Sequence, residues 1–319
     1  MITKNKARQL LNEEELSNAP LPAYQKIDSR YFDYNIKTIR GLPLRGGLLL
    51  TTRGCPFQCT FCGCNLIFGK KLRFRHIDRV KEDIDCLCSQ HHVEGIWILD
   101  DTFTVNKTHA IKIARLLKTK GVIWGCQSRV DTVTDDLLKI FKECGCVQID
   151  YGVESGSPRI LTTVIKKGTN PDQIRNAFKL TKKHGIRTLA NIMIGLPTET
   201  LKDLWQTQKI VADIQPDVTV VSIATPLPGT ELYGIVGEDI SPSQYASLNW
   251  NGSEMTSRLN KSEIKNIVGV HHAMKRRYLI LSVLNALHNW QGLSWFLSQG
   301  DKWRRIKTIG TFFISEICK

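Results

Sequence analysis

The chain has 319 residues, of which 42% are hydrophobic and 23% are charged. This balance is typical of a protein that folds around a buried core, and it excludes an intrinsically disordered chain. The net charge of +14 predicts attraction to anions in general, such as phosphorylated molecules, nucleic acid or anionic lipid. No run of 18 apolar residues occurs, so no transmembrane helix is predicted.

Cysteine usage indicates a reducing compartment. The chain has ten cysteines, and residues 1–16 are charged and rich in glutamate instead of resembling a secretory leader. Disulfide scaffolds belong mainly to secreted proteins. We therefore expect free thiols and a cytoplasmic location.

Apolar runs of strand length alternate with helical segments over the middle of the chain. The six predicted strands are Gly47–Thr52, Gly95–Asp101, Val122–Val130, Cys146–Glu154, Thr188–Leu196 and Val218–Thr225. The five helices predicted between them are His76–His91, Lys107–Lys120, Asp135–Cys144, Pro171–His184 and Glu199–Ile214. This alternation predicts the α/β class, with parallel strands covered by helices in a partial (β/α)6 barrel.

The helix predicted at Pro171–His184 has the clearest boundaries. Asn170 is a candidate N-cap, and Gln173 stands three residues later, as in a capping box. Gly185 is placed to end the helix.

The two ends of the chain lack the alternation of the middle. Residues 1–46 are predicted to be a lead-in segment, 47–235 the core, and 236–319 a small, mostly helical C-terminal extension. In the extension, Tyr278–Trp290 is interpreted as a core-facing helix, with an interfacial membrane helix as the alternative. The tryptophans Trp290, Trp295 and Trp303 are interpreted as core packing or as a cover for the barrel mouth.

Three cysteines directly follow the first predicted strand. Cys55, Cys59 and Cys62 form a CxxxCxxC pattern. Because iron–sulfur clusters are held by cysteine thiolates, three thiolates leave one iron of a cubane cluster without a protein ligand. A zinc knuckle, unrelated reduced thiols, or Cys64 as a fourth ligand are the alternatives.

This pattern, with Phe61 just before the last cysteine, resembles the radical S-adenosylmethionine (SAM) superfamily. The resemblance implies that Cys55, Cys59 and Cys62 ligate a 4Fe-4S cluster and that SAM chelates the open iron. One-electron reduction would then cleave SAM to a 5'-deoxyadenosyl radical. The resemblance also implies that Phe61 lies against adenine, and that the partners are a small-molecule substrate and a flavodoxin- or ferredoxin-type electron donor.

Polar residues follow the other predicted strands, at the edge where ligands of α/β folds bind. They are Asp100–Asp101, Gln127–Arg129, Glu154–Gly156 and Gly195–Glu199, and the last predicted strand is followed by the turn residues Pro226–Gly229. The segments Gly152–Ser157, Gly195–Thr200 and Pro228–Thr230 resemble the cobalamin-associated branch of the superfamily.

That second resemblance assigns further contacts to SAM. It implies Glu154 and Ser155 near the ribose hydroxyls or the methionyl amino group, Arg129 near the carboxylate, and the loops of Gly195 and Pro228 beside adenine. A carboxylate accepts from hydroxyls or ammonium, and a guanidinium clamps a carboxylate in two places. A helix cap or an ion pair is the alternative interpretation for Arg129 and Glu154.

The sequence departs from the branch in two ways. Ile98–Phe103 stands where many members carry Gly-Gly-Glu, so an aspartate either substitutes for the glutamate or faces the substrate. The branch also has an N-terminal cobalamin-binding domain, whereas only residues 1–46 precede the first predicted strand, and they contain no Asp-x-His-x-x-Gly motif. Use of cobalamin, methyl transfer and a separate cobalamin-binding protein are therefore left open.

The leading interpretation is a radical SAM enzyme with an unidentified substrate, and methyl transfer is one of its candidate reactions. A tRNA-modifying radical SAM protein is the first alternative, because the net charge is +14. The basic residues Lys70, Lys71, Arg73 and Arg75 around Phe74 are interpreted as a contact for an anionic group or nucleic acid. A solvated lead-in to the next helix would explain the same basic residues. The second alternative is a non-catalytic protein, or one half of a split enzyme whose cobalamin domain is a separate chain.

Overall fold

The computed structural model describes residues 10–32, 38–40, 42 and 44–236. The predicted C-terminal extension, including Tyr278–Trp290 and the tryptophans after it, lies outside the described residues. The eight described strands are β1 (Gly46–Leu49), β2 (Thr52–Arg53), β3 (Arg73–Phe74), β4 (Gly95–Ile98), β5 (Ile123–Ser128), β6 (Cys146–Glu154), β7 (Arg187–Ile194) and β8 (Val218–Ile223).

Six strands form one parallel sheet in the order β1-β4-β5-β6-β7-β8, so each new strand joins beside the previous one. The described helices are α1 (Glu13–Asn18), α2 (Cys64–Phe68), α3 (Ile77–Ser89), α4 (Lys107–Thr119), α5 (Asp135–Glu143), α6 (Pro171–Lys183), α7 (Leu201–Ile214) and α8 (Glu231–Val236). The predicted α/β class and the sixfold strand–helix alternation are confirmed. None of the described helices is long and apolar enough to cross a membrane.

The main core lies between the sheet and the helices. On β6, Ile149, Tyr151 and Val153 are buried in this core. Successive strand side chains point to opposite faces, so Asp150 and Glu154 lie on the other face of the sheet. The long strand thus carries its apolar side chains toward the helices and its polar ones toward the face where a ligand can bind.

Several predicted boundaries differ from the observed ones by one to three residues, and two of the differences have a clear local reason. The first predicted strand is split, because the chain leaves the main sheet after Leu49 and β2 pairs antiparallel with β3. The last predicted helix begins at Leu201 instead of Glu199, since Thr200 is its N-cap in an extended conformation. The capping box predicted at Asn170 and Gln173 is confirmed.

Candidate active site

The cysteine loop is held at its start by the short β2–β3 hairpin. Gly54 has a φ of +97°, and a Cβ there would lie 2.3 Å from the carbonyl oxygen of Lys71. The next residue, Cys55, donates its backbone N–H to the carbonyl of Gly69 at 3.2 Å. A side chain at position 54 would therefore push the first cysteine away from its support.

The middle of the loop is held by Thr60, which is buried. Its hydroxyl donates to the carbonyl of Val164 at 2.9 Å, and its N–H donates to the carbonyl of Ile165 at 3.1 Å. Leu232 of α8 donates its N–H to the carbonyl of Thr60 at 2.9 Å. The loop is thus fixed to the segment after β6 and to the segment after β8.

The three cysteines of the motif are half-buried free thiols on this loop. Burial raises the pKa of Cys59 and of Cys62, and at Cys59 the positive charges of Lys167 and Arg129 act in the opposite direction on the pKa. Cys62 Sγ accepts a hydrogen bond from the N–H of Cys64 at 3.4 Å. Nearby positive charges and an N–H donor both stabilise thiolates.

These residues fit a cubane cluster. Within the described ranges, no three His, Cys, Asp or Glu side chains are grouped to hold a single metal ion. A cubane does not require such a group, because separate thiolates ligate separate irons. Three accessible thiols with cationic neighbours are a suitable donor set for an anionic iron–sulfur cluster.

Arg129, which follows β5, is buried against the cysteine loop. Its Nε and Nη2 donate to the two carboxylate oxygens of Asp131 at 2.9 and 2.7 Å, and its Nη1 lies 3.8 Å from Cys59 Sγ. Its guanidinium carbon stands 3.6 Å from the centroid of the Phe57 ring. The ion-pair alternative is therefore found in the structure, and the same contacts bring the guanidinium to the cysteines.

Glu154 forms a buried ion pair that the sequence did not reveal. Lys167 Nζ lies 3.0 Å from Glu154 Oε1 and 5.8 Å from the centroid of the Phe61 ring. A Cβ at Gly152 would meet Glu154 Oε1 at 2.5 Å and Lys167 Nζ at 2.8 Å. The first glycine of the Gly152–Ser157 segment thus leaves room for this pair beside Phe61.

The two adjacent aspartates after β4 have different roles. Asp100 is buried and accepts from the N–H groups of Thr51 and Thr52 at 2.7 and 3.0 Å. Burial raises the pKa of Asp100, and the hydrogen bonds from Thr51 and Thr52 lower it. Asp100 thus fastens the end of β1 and is unavailable to a ligand.

Asp101 faces the cysteine loop instead. Cys55 and burial raise the pKa of the Cys64 thiol, and the negative charge of Asp101 raises this pKa further. The Oδ2 atom of Asp101 is buried and has no hydrogen-bond partner among the described residues. An acceptor in this condition suits a cationic or N–H-bearing ligand.

The remaining predicted residues lie at the same sheet edge, in different environments. The Ser155 hydroxyl is 3.2 Å from Thr207 Oγ1 on α7, so it supports the turn after β6. Gly195 donates its N–H to Glu199 at 2.7 Å, and Pro228 is exposed. Their contacts with SAM stay predictions.

The loop after β8 adjoins the cysteine loop. A Cβ at Gly63 would lie 3.7 Å from Leu227, and one at Gly229 would lie 3.1 Å from Leu66. The first and last strands of the sheet therefore contribute neighbouring walls of one site.

A family model matches residues 49–211, about half of the chain, and its description is "Radical SAM superfamily". The chain belongs to the radical SAM superfamily. A protein described as an uncharacterized methyltransferase from Pyrococcus horikoshii is 36% identical over 74% of this chain and 50% of its own length. An anaerobic magnesium-protoporphyrin IX monomethyl ester cyclase from Rubrivivax gelatinosus is 30% identical over 62% of this chain and 36% of its own. The chain thus spans half or less of these relatives' length.

The structure of the radical SAM methyltransferase TsrM from Kitasatospora setae, with cobalamin and a 4Fe-4S cluster bound, has the same fold. Its TM-score is 0.54 at 18% identity, and the match covers 66% of this chain and 40% of that one. The predicted membership is confirmed. The cluster and SAM are therefore the cofactors that this radical SAM protein shares with its family.

The sequence did not single out Lys167, and it did not distinguish Asp101 from Asp100. Lys167 lies in a loop between elements, and its approach to Glu154 depends on the π-helical turn Ile160–Val164. Asp101 was one of two adjacent aspartates, and only the structure separates their roles.

The basic stretch after the cysteines is not a continuous basic surface. Arg73 and Arg75 are buried, and Arg75 pairs with Asp83 of α3. Lys70 and Lys71 are exposed. The interpretation of all four as a nucleic-acid contact was wrong, because two of them support the hairpin and α3.

Proposed function

We propose that this chain is a radical SAM enzyme whose Cys55, Cys59 and Cys62 hold the cluster and leave one iron for SAM. When bound, the cluster would supply the one electron that breaks SAM into methionine and a 5'-deoxyadenosyl radical. The observation that carries the proposal is the common placement of the three thiols, the unpartnered Asp101 oxygen and the Arg129 guanidinium at one sheet edge.

Asp101 and Arg129 would hold the amino-acid end of SAM. A buried acceptor without a partner costs free energy that an ammonium donor removes, and Asp101 Oδ2 is such an acceptor. Arg129 Nε and Nη2 are engaged by Asp131, so Nη1, on the side of Cys59, is the atom proposed to meet the SAM carboxylate. The two side chains would thereby fix both charged groups of the amino acid.

Glu154 and Phe61 would hold the nucleoside end. The Glu154 carboxylate can accept from ribose hydroxyls while Lys167 neutralises its charge. Phe61 would offer its ring to adenine, and the loops of Gly195 and Pro228, which follow β7 and β8, would border the adenine. Ser155 supports the turn that presents Glu154.

The reaction class that we propose is methyl transfer to a small-molecule substrate. It is supported by the identity to the Pyrococcus horikoshii methyltransferase and by the fold shared with TsrM. Cobalamin is the cofactor to test, supplied in solution or by a separate cobalamin-binding protein. Modification of tRNA is the second candidate because of the charge of +14, and it requires RNA binding that weakens steeply with salt.

The test is anaerobic reconstitution followed by dithionite and SAM, with 5'-deoxyadenosine and S-adenosylhomocysteine as products. We expect 5'-deoxyadenosine from the wild-type protein and from Cys88→Ala, whose thiol lies on α3. Each of Cys55→Ala, Cys59→Ala and Cys62→Ala should abolish it. Absence of SAM cleavage by a fully loaded wild-type protein overturns the proposal. Methyl transfer is tested with reduced cobalamin, which can accept the methyl group of SAM and leave S-adenosylhomocysteine. If no S-adenosylhomocysteine forms with reduced cobalamin, the methyl-transfer class is rejected.

A further inference from the structure

A chain of hydrogen bonds links the outer helix α4 to the end of β1. The Thr51 hydroxyl donates to Oδ2 of Asp100, and its oxygen lies 2.9 Å from Nε2 of His109. Thr51 and Asp100 are 0% and 1% exposed, and His109 is half-buried. The end of β1, the segment after β4 and the start of α4 therefore meet at one hydroxyl group.

The direction of these hydrogen bonds fixes the tautomer of His109. Asp100 accepts from two backbone N–H groups and from the Thr51 hydroxyl, as an ionised carboxylate does. The single hydroxyl hydrogen of Thr51 is thereby used, so its oxygen accepts from His109, which requires the N–H on Nε2. Burial lowers the pKa of His109 to about 4, with a smaller contribution from Lys112. The imidazole is therefore neutral at neutral pH and has one N–H to donate.

Two further contacts hold the imidazole of His109 in place. Its backbone N–H donates to Oδ1 of Asn106, the N-cap of α4, at 2.9 Å. Its ring centroid is 4.8 Å from the ring centroid of Phe74, which belongs to β3. His109 is thus held between α4 and the β2–β3 hairpin, with Nε2 beside the Thr51 hydroxyl.

The far end of this chain of hydrogen bonds adjoins the amino-acid end of the proposed SAM site. Asp100 directly precedes Asp101, whose buried Oδ2 atom has no hydrogen-bond partner among the described residues. Consecutive Cα atoms are about 3.8 Å apart, so a shift of Asp100 moves Asp101 with it. Removing the His109 N–H leaves the buried Thr51 oxygen without this donor, which is costly inside a protein. The side chains of Thr51 and Asp100 then have to adjust.

We propose that His109 is a positioning residue for SAM. Through Thr51 and Asp100, it holds in place the free carboxylate oxygen that meets the SAM amino group. That oxygen belongs to Asp101, so this inference rests on the proposed function. His109 acts from outside the site and makes no contact with SAM, and only binding that uses the amino-acid end of SAM depends on it.

The experiment measures the binding of two probes to the reconstituted protein by anaerobic equilibrium dialysis. SAM has the amino-acid end, whereas 5'-methylthioadenosine has the same nucleoside and sulfur without it. His109→Phe keeps a ring beside Phe74 and removes the N–H. This variant should weaken SAM binding about tenfold, a typical effect of substitutions in such networks, and keep 5'-methylthioadenosine binding and iron content within about twofold of wild type.

Rescue and control variants use the same two probes. His109→Gln can present an amide N–H to Thr51 and should restore most of the SAM affinity. Thr51→Val removes the shared hydroxyl, so adding His109→Phe to it should weaken SAM binding no further. His184→Phe is the matched control, because Nε2 of His184 also has a polar partner, Oδ1 of Asp135 at 2.8 Å, between α5 and α6. It should leave the binding of both probes unchanged.

The outcomes separate this inference from the proposed function. Equal weakening of both probes by His109→Phe, loss of iron from that variant, or unchanged SAM binding overturns the positioning role. The role is also overturned if His109→Gln binds SAM as weakly as His109→Phe. In each of these cases Asp101→Leu should still weaken SAM binding, and the proposed function then stands. A wild-type protein with a loaded cluster that does not bind SAM overturns the proposed function and this inference with it.

Discussion

A single glycine governs the entry to the cysteine loop. Gly54→Ala places a Cβ 2.3 Å from a backbone oxygen that cannot move without opening the hairpin, at a φ of +97°. We expect the variant to lose most of its iron after reconstitution, as measured by iron and sulfide content. Gly121→Ala is the matched control, because Gly121 also has a positive φ, of +66°, but has nothing within 4 Å of its Cβ position. Normal iron content in Gly54→Ala would contradict this role of the loop.

The Glu154–Lys167 pair can be tested by a double-mutant cycle. Both side chains are nearly inaccessible, at 11% and 6% exposure. Lys167→Met leaves a buried carboxylate unpaired, which should reduce the free energy of unfolding by about 3–5 kcal/mol. Glu154→Gln/Lys167→Met should recover most of that loss in urea unfolding. The double variant should nevertheless bind SAM more weakly than wild type, because the proposed ribose acceptor is gone. Wild-type SAM affinity in the double variant would show that the pair is only structural.

The carboxyl group of Glu199 should make the stability of the folded protein depend on pH. Burial raises the pKa of Glu199 to about 7, against hydrogen bonds from Gly195 and Leu196 that lower the pKa. Between about pH 4.5 and pH 7 the unfolded chain ionises this group while the folded protein keeps it protonated. The contribution of Glu199 to the free energy of unfolding therefore falls as the pH rises, by on the order of 3 kcal/mol.

The measurement for Glu199 is anaerobic urea unfolding of wild type and Glu199→Gln at pH 5 and pH 8. The amide cannot ionise, so the variant should gain stability relative to wild type as the pH rises. A difference between the two proteins that stays the same at both pH values would contradict the raised pKa.

At the scale of elements, the start of α6 is fixed by its N-terminal cap. Asn170 Oδ1 accepts from the N–H groups of Asp172 and Gln173 at 3.1 and 2.9 Å. Gln173 Oε1 in turn accepts from the N–H of Asn170 at 2.9 Å. Asn170→Ala should lower the free energy of unfolding by about 0.5–2 kcal/mol while the iron content stays normal. A loss of iron would mean that α6 influences the cysteine loop, which no contact of the cap explains.

The strand and helix cores could be predicted because their signals are local. β6 was predicted at its observed bounds, Cys146–Glu154, from its apolar residues and flanking glycine. The end of β1 could not be predicted, since it depends on hydrogen bonds from Thr51 and Thr52 to Asp100, which is distant in sequence. Glu199 was assigned to α7 for a different, local reason, because its side chain accepts from the N–H of Gly195, four residues earlier, and lies outside the helix.

At the scale of the whole molecule, the sheet brings to one edge residues that lie far apart in the sequence. The cysteines were predictable because three of them stand in one short motif, and the strand order then brings Arg129 and Glu154 to the same edge. Lys167 and the choice of Asp101 over Asp100 were not predictable, since each depends on which way a loop side chain points. Such information exists only after the strands have assembled.

The central claim is that three cysteines, and not four, hold the cluster and leave one iron for SAM. The most direct measurement is the electron paramagnetic resonance spectrum of the dithionite-reduced protein before and after addition of SAM, in wild type and in Cys64→Ala. We predict the same cluster signal in both proteins and the same change in that signal when SAM binds the open iron. A spectrum that SAM leaves unchanged in wild type, or a cluster signal that is lost in Cys64→Ala, would contradict the claim.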